Sequence, residues 1–251
     1  MADTYEAFSG EVTKRLPILV ESATTGEIAK AIELLADAVA KDGIIRAFGT
    51  GHSEAFAMEI AGRAGGLIPT SRLALRDIVL YGTHTVSELT DPTLERDPKL
   101  AEELFGLHTR HPEDIYIIAS NSGVNGSIVG VAEQVKAHGH KLIVVTSLDH
   151  TMKVTSKHPS GKRLMDFADV TIDNLAPYGD STLTLESGLV MGAISSITAA
   201  FIAQLMTLGV AENLSARGIT PPVYVSANVP GGDEHNNVLK ARYAGRLRVD
   251  G

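Results

Sequence analysis

Two short segments hold the side chains and the backbone freedom needed to grip a phosphate. The first is Gly49-Thr50-Gly51-His52-Ser53, which follows the apolar run from Gly43 to Phe48. Gly49 and Gly51 let the chain turn sharply and pass close to a ligand, as residues with a Cβ cannot. Ser53 stands where a helix should open. Its hydroxyl can cap that helix or donate to a ligand, and free N–H groups at a helix start favour an anion. The second segment, Ser120-Asn121-Ser122-Gly123-Val124-Asn125, follows the run Ile115 to Ala119 and repeats the layout. Its hydroxyl and amide side chains suit an uncharged cradle for a phosphate monoester. Two such strand–loop–helix sites point to a phosphorylated small molecule; the alternative is a pair of ordinary capped turns.

Proton transfer to or from such a ligand needs a carboxylate or histidine near the same loops. Glu59 falls in the helix expected after Ser53, at the edge of a Phe56/Ile60 stripe and partly buried, or else it faces solvent. His84 ends Tyr81-Gly82-Thr83-His84 after the run Ile78–Tyr81, which is expected to be a strand delivering it to the same sheet edge. Glu95 is a second acid or base, or half of an ion pair with Arg96 or Lys99. His235 follows the turn formers Asn228-Val229-Pro230-Gly231-Gly232 and is expected in a loop. Lys162 and Arg163 are read first as a solvated pair, second as charge for a phosphate.

Spacing argues against other ligands. A dinucleotide fingerprint needs a third glycine three residues after Gly51, and that position is Glu54, which would repel a pyrophosphate. No Gly-Lys-Ser/Thr exists for a Walker A loop. The pairs His108/His111 and His138/His140 have no carboxylate at ligand spacing, so neither metal nor cofactor is expected. The formal charge of −8 argues against nucleic acid and acidic membranes as partners. With no cysteine, disulfides and a thiolate nucleophile are excluded. The first residues are charged and lack an apolar h-region, so the expected location is cytoplasmic.

The elements that must position these residues alternate. Thr24 and Glu27 resemble a capping box ahead of the stripe Ile28, Ile32, Leu35 and Val39. Strand-like runs at Ile78–Tyr81, Ile115–Ala119, Leu142–Thr146 and Val170–Ile172 alternate with helical patterns at Ser53–Ala64, Lys99–Leu107 and Ser127–Ala137. Such alternation implies a parallel sheet covered on both faces, with ligands beyond the carboxyl ends of its strands. Between Glu186 and Glu212 no residue is charged. Interrupting serines and threonines favour a core or subunit-interface helix over a membrane span, with Gly188 and Gly192 one turn apart allowing close packing. A short run at Val223–Ser226 follows Pro221-Pro222.

The two loops, in this order, resemble the SIS (sugar isomerase) family. Four further stretches are similar to a bacterial group of uncharacterised SIS-domain proteins: Arg63-Ala64-Gly65-Gly66, Ser156 through Lys162, Asp173 through Asp180, and Ser226 through Asn236. More distant resemblances are to phosphoheptose isomerase and to the etherase acting on N-acetylmuramic acid 6-phosphate. The likeness runs from about Lys41 onward. It implies an α/β fold, a three-layer αβα sandwich with a five-stranded parallel sheet. A helical segment at 1–42 would precede an SIS domain at 43–251, together one structural unit and part of a homodimer or larger assembly. It also implies a phosphorylated sugar held by Gly49, Thr50, Gly51, His52, Ser53, Ser120, Asn121, Ser122, Gly123 and Asn125. Asn125 stands where the family commonly has threonine.

For chemistry the resemblance implies proton abstraction beside the carbonyl of a hexosamine or N-acetylhexosamine 6-phosphate. Glu59 matches a catalytic glutamate common in the helix after the first loop. His84, Glu95 or His235 would protonate oxygen, with His235 matching a C-terminal histidine that such enzymes sometimes lend to a partner subunit. Elimination, as in the etherase, is the expected outcome. Aldose–ketose isomerisation is the alternative, and a non-catalytic sugar-phosphate sensor a third, although the segment before Gly43 is too short and too acidic for a helix-turn-helix domain.

Overall fold

The computed structural model describes residues 2–91 and 93–248. Five strands form one parallel sheet: β1 (Ile45–Gly49), β2 (Thr70–Leu73), β3 (Ile115–Ala119), β4 (Lys141–Thr146) and β5 (Val170–Asp173). Their order is β2-β1-β3-β4-β5. At the centre Ile45 lies opposite Ile115 and Gly49 opposite Ala119, so the first and second loops leave the sheet side by side. β3 and most of β4 read as apolar runs because helices cover both of their faces, whereas β1 carries the buried Arg46.

Among the described residues, ten helices surround this sheet and the segments beyond it. They are α1 (Ala2–Thr13), α2 (Leu16–Thr25), α3 (Glu27–Ala40), α4 (Glu54–Ile60), α5 (Asp77–Leu80), α6 (Leu100–Gly106), α7 (Gly126–Ala137), α8 (Leu148–Thr151), α9 (Ser195–Ala216) and α10 (Gly232–Ala241). Side chains alternate across the strands with period two. Ala47, Ile117 and Val145 pack on one face against Leu35 of α3, Phe56 of α4 and Met206 of α9. Phe48, Ile118 and Val144 pack on the other against Leu104 of α6 and Val131 of α7. The result is the three-layer αβα sandwich with a five-stranded parallel sheet.

Several elements differ from the sequence expectation. Ile78–Tyr81 is not a strand: Asp77 accepts the Ala74 N–H at 3.0 Å and the chain turns into α5. The second strand is β2, an edge strand paired with β1 alone, whose Ser71 and Arg72 leave it without the apolar run seen in β3 and β4. Thr24 and Glu27 form no capping box, because α3 is preceded by Gly26 and the Thr24 hydroxyl donates back to Val20 O at 3.0 Å. The helix after Ser53 ends at Ile60 rather than Ala64.

The uncharged stretch holds two structures rather than one helix. Its first part lies in an antiparallel hairpin of β6 (Ser181–Thr184) and β7 (Val190–Ala193). Gly188 and Gly192 sit there with φ of 81° and 82°, turn and strand positions rather than a helix contact. Its second part is α9, long and apolar enough by length and composition to cross a membrane. One face of that helix (Ile202, Met206, Val210) is buried in the core against α3 and α4. Val223 makes only an isolated bridge to Leu67 instead of a strand.

The amino edge of the sheet is tied by one carboxylate. Asp114 is buried, pairs with buried Arg46 at 3.0 Å and with Arg246 at 2.7 Å, and accepts the Ile44 N–H at 2.9 Å. Breaking such a pair leaves an uncompensated charge in a medium of low polarity. We expect Asp114→Ala to lower unfolding stability by about 3–5 kcal/mol, seen as a lower urea midpoint at unchanged slope.

Candidate functional site

After β1 the chain crosses to the edge strand β2, whereas β3 lies on the other side of β1. The connections leaving β1 and β3 therefore diverge, and a crevice opens between them at the carboxyl edge. A cleft lies here, lined by His52, Ser53, Ser120, Asn121, Asn174 and Ser195 together with apolar neighbours such as Phe56 and Ala199. About 290 Å³ of non-atom space, part of it open solvent, lies between these residues.

The first loop is built by close approach. A Cβ on Gly49 would overlap Ser53 O, so only glycine lets the chain fold back at that point. Residues Gly51–Ser53 form a short 3-10 turn in which Ser53 N–H donates to Thr50 O at 3.1 Å. The Glu54 N–H likewise goes to Gly51 O and His52 O. Ser53 makes no side-chain cap, contrary to expectation: its backbone is already helical (φ −71°, ψ −12°), so it continues the turn into α4, whereas a capping residue is non-helical. Ser53 belongs to the cleft lining. Thr50 is buried, and His52 is exposed at the mouth.

The second loop is held from below. Ser120 Oγ accepts the Gly123 N–H at 3.1 Å, and Asn121 O accepts Thr146 Oγ1 at 3.2 Å and Ser147 N–H at 3.3 Å. Among the described residues, no acceptor takes the N–H of Asn121 or of Ser122. Ser120 and Asn121 line the cleft; Ser122 and Gly123 continue the loop outside that lining. Among the described residues lining the cleft none is Lys or Arg, so neutral donors make up this wall.

Asn125 faces elsewhere. Its Nδ2 donates to Glu95 Oε1 at 2.8 Å, and its Oδ1 accepts from Lys157 Nζ at 3.4 Å. Glu95 is held at its backbone too, where its carbonyl accepts Ser127 Oγ at 2.6 Å. A Cβ on Gly126 would overlap Arg96 O, so the Glu95 turn rests directly on the first residue of α7. The second carboxylate oxygen, Oε2, lies 3.7 Å from where a Cβ on Gly51 would stand. Glu95 thus bonds the end of the second loop and lies beside the first, outside the cleft lining.

The other candidate acids and bases likewise lie outside that lining. Glu59 is engaged by Arg63 and by Gln204 Nε2 at 2.5 Å. His84 is carried by the segment after α5 and bonds Glu88 at 2.9 Å and Glu103 at 2.8 Å. His235 is on α10, not in a loop, where its Nε2 lies 3.0 Å from Val223 O. Lys162 sits over the Phe167 ring, and Arg163 donates to Thr151 O and Val154 O. Asn174, Ser195 and Ser196 belong to the cleft although their spacing carried no such sign. Asn174 directly follows β5, so the rule of carboxyl strand ends could have found it. The two serines open a helix distant in sequence, and nothing local marked them.

A match to the SIS domain covers residues 7–147. A UPF0309 protein of Listeria monocytogenes serovar 1/2a is 38% identical over 239 residues, 94% of each chain. A UPF0309 protein of Halalkalibacterium halodurans is 37% identical over 229 residues, 90% of this chain and 93% of the other. Among solved structures, a phosphoheptose isomerase from Francisella tularensis aligns with a TM-score of 0.55 at 15% identity, covering 84% of this chain and 98% of its own. A phosphoheptose isomerase from Neisseria gonorrhoeae aligns at 0.53 and 16% identity, over 84% and 100%. At these identities the likeness is one of fold.

Hydrogen bonds to Glu88 and then Glu103 raise the His84 pKa above the ordinary histidine range. The imidazolium is favoured in the fold, so its stabilising effect is full below the unfolded midpoint and fades as pH rises through the folded one. We expect Glu88→Gln to move the His84 midpoint down, read by NMR titration of the ring.

Proposed function

This chain belongs to the SIS domain family, and from that membership we propose that its cleft binds the phosphate end of a phosphorylated sugar for proton transfer beside the sugar carbonyl. The observation that carries this reading is the wall of Ser53, Ser120 and Asn121 at the gap between β1 and β3, where the Asn121 N–H has no acceptor among the described residues. Oriented neutral donors hold a phosphate without the reorganisation that flexible charged side chains require.

Glu95 is the carboxylate best suited to the chemistry, since among the described residues it is the predicted acid or base that is hydrogen-bonded to the second loop and lies beside Gly51 of the first. In an open-chain aldose phosphate it would take the proton from C2, beside the aldehyde, giving an enediolate with its charge on O1. The O2 hydroxyl proton then passes to O1, and returning the carbon-bound proton to C1 completes an aldose–ketose isomerisation with one carbon base. That is the outcome the arrangement favours, and the solved phosphoheptose isomerases share this fold. Elimination from an N-acetylhexosamine 6-phosphate is the second reading. It needs a further acid for the leaving oxygen, and Glu59 on the separate helix α4 is the residue that favours it. A sugar-phosphate sensor would bind in the same cleft without turnover.

The test is incubation with a panel of hexose and N-acetylhexosamine 6-phosphates, read by mass spectrometry and proton NMR. Unchanged mass with a ketose signature marks isomerisation; loss of one water with an alkene resonance marks elimination. Glu95→Gln should lower kcat by about 10²–10⁴-fold, the usual worth of a general base. Ser53→Ala should weaken phosphosugar binding by about tenfold or more, as hydrogen bonds to charged groups are worth roughly 1.5–3 kcal/mol. Calorimetry that finds no binding across the panel refutes the proposal.

A further inference from the structure

An amide side chain can turn either way, offering a ligand its carbonyl or its N–H groups. In this cleft the choice is dictated two residues deep. The backbone N–H of Ala176 donates to Asn174 Oδ1 at 3.0 Å. A backbone N–H can only donate, so Asn174 must present oxygen there, and its Nδ2 points the other way. That Nδ2 donates to Asn121 Oδ1 at 3.0 Å. Asn121 must therefore turn its carbonyl toward Asn174, which leaves its own Nδ2 with no described acceptor. Asn174 is buried, with 4% of its surface exposed, and both asparagines line the cleft. Burial matters because water cannot substitute freely for either bond.

We propose that Asn174 is a positioning residue. It locks the Asn121 amide so that its N–H groups face the bound molecule, and the part of the ligand meeting Asn121 is an acceptor: a phosphate oxygen or the sugar carbonyl. The inference rests on the proposed phosphosugar site for the identity of that acceptor, while the locked amide can be tested without any sugar. It also sets a preference, because a ligand offering a donor at this place would meet another donor. Asn174→Asp reverses the logic. A carboxylate accepts only, so Asn121 must swing its N–H groups toward residue 174 and turn its carbonyl into the cleft.

The experiment uses the whole chain and inorganic phosphate as probe. It follows the Asn121 side-chain amide by proton–nitrogen NMR, assigned through its loss in Asn121→Ala. In the unmutated protein phosphate should move that resonance pair. In Asn174→Ala the pair should shift before phosphate is added, and phosphate affinity should fall by about three- to tenfold, less than one full hydrogen bond to an anion. In Asn174→Asp the resonance should no longer respond to phosphate. Loss of affinity there includes the repulsion of an added charge, so the decisive comparison is the double variant. Because Asn174 acts through Asn121, Asn174→Ala should cost nothing further in an Asn121→Ala background. Asn174→Ser, which keeps a hydroxyl for the Ala176 N–H, serves if the alanine variant fails to fold.

Additive losses, or an Asn121 resonance indifferent to Asn174→Ala, overturn the proposal. A resonance that follows Asn174 in a protein indifferent to phosphate and to the sugar panel upholds the locked amide and refutes the phosphosugar reading instead.

Discussion

The order of the strands governs what this molecule can hold. A parallel strand can be joined to its neighbour only by a crossover, and the crossovers leaving β1 and β3 set out in opposite directions along the sheet. The carboxyl edge is therefore open between them. The groups that line the cleft come from the carboxyl ends of β3 and β4, the residues after β1, β3 and β5, and the first turns of α4 and α9. Both glycine-containing loops face it because Gly49 and Ala119 stand opposite each other in register.

Within that opening the polar groups divide their duties. The first loop closes in a tight turn through the Ser53 and Glu54 N–H groups, and Ser53 makes no side-chain cap on α4. The second loop is anchored through Asn121 O to Thr146 and Ser147, while the backbone N–H of Asn121 meets no acceptor among the described residues. Glu95 is held by Asn125 and Ser127 at the start of α7, and the missing side chain of Gly126 lets its turn sit that close. Rigidity of this kind matters for proton transfer, where small displacements of a base are costly. At the opposite edge, buried Asp114 gathers Arg46, Arg246 and the Ile44 backbone, fastening the C-terminal segment to the start of β1.

Legibility in the sequence followed how local each signal was. The runs at Ile115–Ala119 and Leu142–Thr146 are covered on both faces and announce themselves as apolar, and they form β3 and β4. The edge strand β2 pairs on one side only and tolerates Ser71 and Arg72, so its pattern is weaker than that of Ile78–Tyr81, which forms no strand. His84 accordingly sits beyond α5, bonded to Glu88 and Glu103, rather than at the sheet edge. The lack of charge from Glu186 to Glu212 suggests one element, yet the φ values of Gly188 and Gly192 belong to a hairpin. Charge content says that a segment is apolar; it does not say how its backbone bends.

Glycine, serine and asparagine at strand ends marked the loops directly, because the turn and the donors are properties of those residues themselves. Partners distant in the chain could not be marked that way. Ser195 reaches the cleft only because α9 packs across α3 and α4. Glu95 meets Asn125 because its turn lands on α7, and Asn174 faces Asn121 because β5 closes the sheet beside β4. The sequence alone determined the kind of fold and the two glycine-containing loops that leave its sheet, since periodicity and turn chemistry are written locally. Which residues meet, and which way each amide points, was decided by tertiary packing, because hydrogen-bond direction depends on neighbours that the chain brings together only when folded.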